Sequence, residues 1–291
     1  MDLEDYAEFC YDQTGSVALR IVPYFQDYKM LLTQANIDIS LPEYLSLGIF
    51  TTGLISTFVF SVFGLIFFLS SGLTGILTAF LIAVFISIIS ASLLYIYPKT
   101  LVSSRASVIR DMMPFATMYL STLAGTGNSV SEIFTKLADV NEYDEVATEA
   151  EKISRDIETL GMDVSEALER GANRTPSEDF EDLLRGLEHV ITTGGSTKDY
   201  LDQRSSKLMD DYERRIEKFA DQLGLLVEMY ITIVIVGSII FTAMSAIMSS
   251  FTGLNPTVIV AIQVILVFLG LPIITGMFII FIKGISPGGV M

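Results

Sequence analysis

Two long stretches of the chain carry no ionisable side chain at all. Between Glu43 and Lys99 lie 55 residues without Asp, Glu, Lys, Arg or His, and between Glu228 and Lys283 lie 54 more. About 20 apolar residues cross a hydrocarbon core of about 30 Å as a helix, so each block is long enough for two crossings. Each block also contains a break. Ser70-Ser71-Gly72 with Gly75 separates Leu47–Leu69 from Leu73–Tyr97, and Thr252-Gly253-Leu254-Asn255-Pro256 separates Met229–Phe251 from Val258–Ile282. The reading is an all-α, polytopic membrane protein with four transmembrane helices arranged as two tight hairpins.

The rest of the chain is strongly charged and acidic. Lys and Arg number 18 against 34 Asp and Glu, a formal charge of −16 in a chain that is nevertheless 51% apolar. That balance argues against nucleic acid as a partner, because neutralising phosphates takes clustered Lys and Arg. A single cysteine, Cys10, excludes an internal disulfide, and a single histidine, His189, excludes a multi-histidine metal site. The first span does not read as a cleavable signal, since about 46 residues with a net charge of −6 precede it and no basic leader is present.

Four spans place both termini and the middle of the chain on one side. Lys99, Arg105, Arg110, Arg214, Arg215, Lys218 and Lys283 all flank the spans on that side, so the positive-inside rule makes it cytoplasmic. The expected organisation is an N-terminal cytoplasmic segment (1–46), a first transmembrane hairpin (47–97), a cytoplasmic helical bundle (98–228), a second hairpin (229–282) and a cytoplasmic tail (283–291).

Residues 98–228 hold 15 basic and 26 acidic side chains, little proline and no alternating pattern, which favours helix. A motif recurs three times there: Gly125-Thr-Gly127-Asn128-Ser129-Val-Ser-Glu132, Gly161-Met-Asp163-Val-Ser-Glu166 and Gly194-Gly195-Ser196-Thr-Lys-Asp199. Glycine in the left-handed conformation ends one helix, a Ser or Asp caps the next, and an acid three residues on reaches back and meets the positive end of the helix dipole. Thr175-Pro176-Ser177-Glu178 adds a fourth start, with Pro at the first helical position. These signals predict six helices near 101–124, 129–140, 142–159, 163–173, 176–193 and 197–228, packed as antiparallel hairpins. Ile153, Ile157 and Leu160 form one expected buried face, and Phe180, Leu183, Leu184, Leu187 and Ile191 another. The last helix lacks a break before Gly224 and is expected to run on into the third span as a rod.

Catalytic signatures are missing from the sequence. Gly194-Gly195-Ser196-Thr197-Lys198 lacks the Gly-Lys-Ser/Thr order of a phosphate-binding loop, and no zinc-protease pair, CxxC or nucleophile elbow occurs. A lone His189 in a helix reads as a surface or packing residue. The spans carry no charge, which weakens a transport reading; only Gln263, scattered Ser and Thr, and Pro272 are polar or helix-breaking, and Gly237, Gly270 and Gly276 suit helix packing. The acidic helix faces suit either a solvated surface or a docking face for a basic partner.

Several strings together resemble the platform family of type II secretion and type IV pilus machines, defined by the F-type secretion domain. They are Met113-Pro114-Phe115, Leu120-Ser-Thr-Leu123-Ala124-Gly125, Ser129-Val-Ser-Glu132, Gly161-Met-Asp-Val-Ser-Glu166-Ala167-Leu168, Arg174-Thr-Pro176-Ser177 and Gly194-Gly195, covering about residues 115–240. The segment Leu31 to Leu45, with Ala35, Ile37, Ile39, Pro42, Glu43 and Tyr44, looks like the stretch before the first span in adherence-pilus and archaeal members. The resemblance implies a non-enzymatic membrane platform beneath a filament of pilin-like subunits, without cofactor or metal, in contact with membrane lipid and with a separate hexameric secretion ATPase. Many family members carry two F-type domains where this chain has one bundle, so the resemblance implies a homo-oligomer or a paralogous platform subunit as partner. An archaellum, an adhesive pilus or a secretion pseudopilus would all fit. The candidate contact residues are Gly125, Gly127, Glu132, Gly161, Glu166 and Gly194, whose glycines also suit a purely structural role. The rival function is a four-span transporter or channel component with a helical regulatory domain; a membrane sensor is a third reading, for which the short uncharged outer loops leave little room.

Overall fold

The computed structural model describes residues 3–37, 39–252, 257, 261 and 264–285, and among these residues every regular element is helical. The chain divides into two compact units, Met1–Asp202 and Gln203–Met291.

The first unit opens with α1 (Leu3–Ile21), a 3-10 turn (Val22–Tyr24) and α2 (Asp27–Gln34). Asn36, at φ 56°, closes α2: the Ile37 N–H bonds the Leu32 carbonyl at 3.0 Å and the Asn36 N–H bonds Thr33 at 3.1 Å. The two long helices α3 (Leu41–Ser71) and α4 (Leu73–Gly125) follow. α3 begins six residues before the expected span, because Glu43 reaches back to the Ser40 N–H at 2.9 Å and nucleates the helix there. α1 packs along α3, with Tyr6 and Phe9 edge-on to Phe50, and Ala7, Tyr28, Leu32, Ile39, Leu41 and Tyr44 form a small core. The sequence reading assigned no helices to this N-terminal segment.

α4 departs from expectation in a second way. A helix ending at Tyr97 and another starting near 101 are in fact one 53-residue helix running through Pro98 and Pro114. Pro98 has no N–H for the Leu94 carbonyl four residues back. The Tyr44 hydroxyl supplies the missing donor, bonding Leu94 O at 2.8 Å, while the Tyr28 hydroxyl bonds Tyr95 O at 3.1 Å. Borrowed donors from the N-terminal segment and α3 thus carry the helix past its proline.

Four shorter helices follow: α5 (Val130–Ala138), α6 (Asp144–Glu158), α7 (Val164–Arg174) and α8 (Glu178–Thr193). Their shared core with α4 includes Ile109, Met113, Phe134, Ile153, Phe180 and Leu184, all fully buried. Gly171 lets α7 approach closely, since a Cβ there would stand 3.0 Å from Ile153 and 3.2 Å from Leu184. The expected faces are largely observed, with one correction: Leu160 is 58% exposed, because α6 ends at Glu158 and the helical period no longer carries residue 160 inward.

α9 (Thr197–Thr252) runs unbroken for 56 residues, the rod that the sequence suggested. In the second unit, Tyr230 on α9 stacks on Phe278 at 4.6 Å and its hydroxyl lies 2.9 Å from that of Thr275. Both partners belong to α10 (Leu271–Ile285). A π-helical turn, Leu266–Gly270, precedes Pro272, which has no N–H for the carbonyl four residues before it.

Among the described residues, three helical stretches are long and apolar enough to cross a membrane: Leu41–Phe67, Thr74–Gly125 and Thr197–Ile247. A fourth apolar stretch, Val267–Ile282, is shorter. The expected break at 253–256, Gln263 and most of the tail lie outside the described residues.

Candidate functional site

The sequence candidates all lie where short helices meet. Gly127, Gly161 and Gly194 adopt the expected left-handed conformation, with φ of 82°, 66° and 73°. Gly125 does not: it is the last residue of α4, and Gly127 makes the turn. At the next start, the Ser129 hydroxyl accepts from the Glu132 N–H at 3.3 Å and the Glu132 carboxylate accepts from the Ser129 N–H at 2.9 Å, a complete capping box. Asp163 caps α7 by accepting from the Ser165 N–H at 3.0 Å, and Ser196 accepts from Asp199 N–H at 3.2 Å. Gly195 N–H to Val190 O at 2.8 Å and Gly194 N–H to Ile191 O at 3.2 Å close α8 in a Schellman motif.

The fourth start differs from its reading. α8 begins at Glu178 with Ser177 as its N-terminal neighbour, Pro176 lies before the cap, and the Ser177 side chain makes no capping bond. The Thr175 hydroxyl instead accepts from the Ser177 N–H at 3.3 Å.

Cross-helix bonds bring the candidates together. The Ser131 hydroxyl at the start of α5 lies 3.5 Å from the Glu158 carboxylate at the end of α6, which also accepts from Thr135 at 2.8 Å, and Ser165 at the start of α7 bonds Glu188 on the last half of α8 at 2.9 Å. The Lys198 stem at the start of α9 lies 3.5 Å from where a Cβ of Gly125 would be. The chain therefore runs up and down, and Gly125, Gly127, Glu132, Gly161, Glu166 and Gly194 share one end of the bundle. All six are exposed. This end carries Glu132, Glu158, Asp163, Glu166, Glu188 and Asp199 against Lys136, Arg170 and Lys198, with Leu160 exposed among them. It stands about 40 Å along α4 from Pro98, at 1.5 Å per residue.

The opposite end holds what the sequence reading missed. Arg105, read as a juxtamembrane cation, is 5% exposed and grips Glu145 through Nε at 2.8 Å and Nη2 at 2.6 Å, and Glu149 at 3.0 Å. It also donates to the Gln34 carbonyl. Glu149, almost wholly buried, further accepts from Lys152 at 3.0 Å and Arg174 at 3.3 Å, and Arg174 bonds Asp156 at 3.0 Å. Lys152 reaches Asn36, and Gln34 Nε2 bonds the Thr175 carbonyl at 3.2 Å. This charge network ties the end of α2 to α4, α6 and α7.

Burial by itself would raise the Glu149 carboxyl, but Lys152, Arg105 and Arg174 outweigh it and hold it below its ordinary range. Burial likewise opposes charge on Arg105, and Glu145 and Glu149 overcome it, raising the guanidinium. A signal for this network exists in the sequence: Glu149 stands three residues after Val146 and four before Ile153, inside the apolar stripe of α6, where a carboxylate needs cationic partners. Among the described residues no cluster of His, Cys, Asp and Glu suits a metal ion, and His189 is exposed on α8.

Residues 116–245 match the family model for type II secretion system protein F. An uncharacterized protein of Methanocaldococcus jannaschii is 25% identical over 136 residues, spanning 47% of this chain and 23% of that protein. The flagella accessory protein J of the same organism is 28% identical over 191 residues, spanning 65% of this chain and 33% of the relative. The chain thus covers a quarter to a third of the length of these relatives. No solved structure matches significantly.

Proposed function

We propose, from the premise that this chain belongs to the secretion platform family through an F-type domain at residues 116–245, that it couples a cytoplasmic secretion ATPase to the assembly of pilin-like subunits in the membrane. The observation that carries this reading is the common position of the six turn-and-cap residues. They form an exposed acidic end, and α4 and α9 run from that end into apolar segments without a break.

In this reading the acidic end docks a basic surface of the ATPase. The two long helices convey its displacement to the bilayer, which requires two arrangements that the ATPase distinguishes by contact energy. The protein contributes no catalytic chemistry of its own. Four crossings (47–69, 73–97, 229–251, 258–282) place residues 1–46, the 98–228 bundle and the 283–291 tail in the cytoplasm, as the flanking cations favour. A homo-oligomer or a paralogous platform subunit completes the assembly, and the archaeal flagella accessory relative favours an archaellum-like filament machine.

The test is capture of the cognate ATPase by the full chain in detergent, with surface filaments scored by electron microscopy. Glu132→Lys and Glu166→Lys reduce both readouts, whereas Glu132→Gln, which keeps an acceptor for the cap, retains filaments. ATPase capture and filament numbers at wild-type level in both lysine variants overturn the docking assignment.

A further inference from the structure

An apolar cavity of about 370 Å³ lies between the N-terminal segment and the first two long helices, with Phe25, Tyr28, Tyr44, Ile49, Leu94 and Tyr95 in its wall. That volume falls in the range of small-molecule sites. Its walls on α3 and α4 belong to the apolar stretches Leu41–Phe67 and Thr74–Gly125, and its tyrosines mark the level at which such helices enter a membrane.

A cation stands on the aromatic wall of this cavity. Lys99, one turn beyond Tyr95 on α4, holds its ammonium 4.6 Å from the Tyr95 ring centre and 6.0 Å from that of Tyr28, and donates to the Tyr95 hydroxyl at 3.3 Å. Tyr28 and Tyr44 spend their hydroxyls on the carbonyls of Tyr95 and Leu94, so their rings present hydrocarbon to the cavity. Greasy volume below and positive charge at headgroup level complement one chemistry.

We propose that this cavity holds a hydrocarbon chain of an anionic phospholipid of the surrounding leaflet, with the lipid phosphate paired to Lys99. The site rests on the α3–α4 hairpin lying in a bilayer and not on the role in a filament machine. A lipid seated there glues the N-terminal segment to the hairpin, so local anionic lipid sets how firmly that segment is docked.

The test is native mass spectrometry of the full chain released from nanodiscs containing phosphatidylglycerol or phosphatidylcholine. Wild type retains one phosphatidylglycerol in preference to phosphatidylcholine. Lys99→Gln lowers that preference about fivefold, the weight of one cation near a membrane surface. Ala91→Leu, which fills the cavity from α4, abolishes retention of both lipids; Gly48→Leu does the same from α3, where a Cβ meets only Leu94 at 3.9 Å. Equal retention of the two lipids by wild type, unaltered in Lys99→Gln, overturns the proposal. So does retention that survives both filling variants, or a lipid-free dimer that either variant dissociates. Failure to enter nanodiscs is read separately and overturns the membrane placement itself.

Discussion

At the scale of single residues, two positions tie local geometry to stability. A Cβ on Gly186 would lie 2.1 Å from the Tyr200 hydroxyl, which bonds the carbonyls of Asp182 and Leu183 at 3.2 and 3.1 Å. Gly186→Ala should therefore destabilise by about 1–3 kcal/mol, as overpacking does. Thermal unfolding in detergent checks this, and the cost should shrink in a Tyr200→Ala background, where the clash is gone. Additive losses would remove the explanation. Glu149 offers a pH-dependent counterpart. Its carboxyl is held below its ordinary value of 4.5, so the folded state binds its proton less readily than the unfolded one. The resulting stability is present above that value and drains away as pH falls through the lower folded one. Melting temperatures across pH 3–6 should show a drop that Glu149→Gln, starting from a lower melting temperature, flattens.

At the scale of elements, the continuity of α4 depends on a neighbour. Pro98 creates an unmet carbonyl and Tyr44 answers it from α3. Tyr44→Phe should cost about 1–3 kcal/mol, the usual penalty for stranding a buried acceptor. Pro98→Ala restores the helical N–H, so in that background the same substitution should be nearly neutral; equal costs in both backgrounds would contradict the compensation. The capping signals at Ser129, Asp163 and Ser196 were legible because their bonds join residues two or three apart. The start near Pro176 was misread for a related reason. Ser177 belongs to the right residue type, but the Thr175 hydroxyl takes its N–H, and the side-chain cap is not made.

At the scale of the whole molecule, the bundle has two chemically different ends. The exposed acidic end gathers the six candidate residues, while the opposite end buries a charge network that holds Gln34 and Asn36 against three helices. Removing one member of a buried ionic network costs about 3–5 kcal/mol, because its partners are left uncompensated. Arg105→Ala should therefore loosen the segment before α3, read as faster tryptic cleavage after Lys29 at unchanged helix content. Unchanged cleavage would show that aromatic packing against α3 suffices to hold it. This arrangement joins the end of α2 to α4, α6 and α7 through buried ion pairs and leaves the six turn-and-cap residues exposed at the other end.

The charge-free blocks, the glycine turns and the caps each depend on residues near one another in the chain, and so the sequence alone determined an all-helical chain with stretches apolar enough to cross a membrane, and most of the helix boundaries around the short turns. It also determined the F-type resemblance, since the order of those turns is a linear pattern. What it did not contain was the partner of any group satisfied at a distance. Whether Arg105 is a surface cation or a buried anchor depends on Glu145, Glu149 and Gln34, 40 to 71 residues away along the chain. Whether Pro98 ends a helix depends on a hydroxyl more than fifty positions earlier. Only the tertiary structure decided these points, because burial and hydrogen bonding are settled by whatever the fold brings alongside.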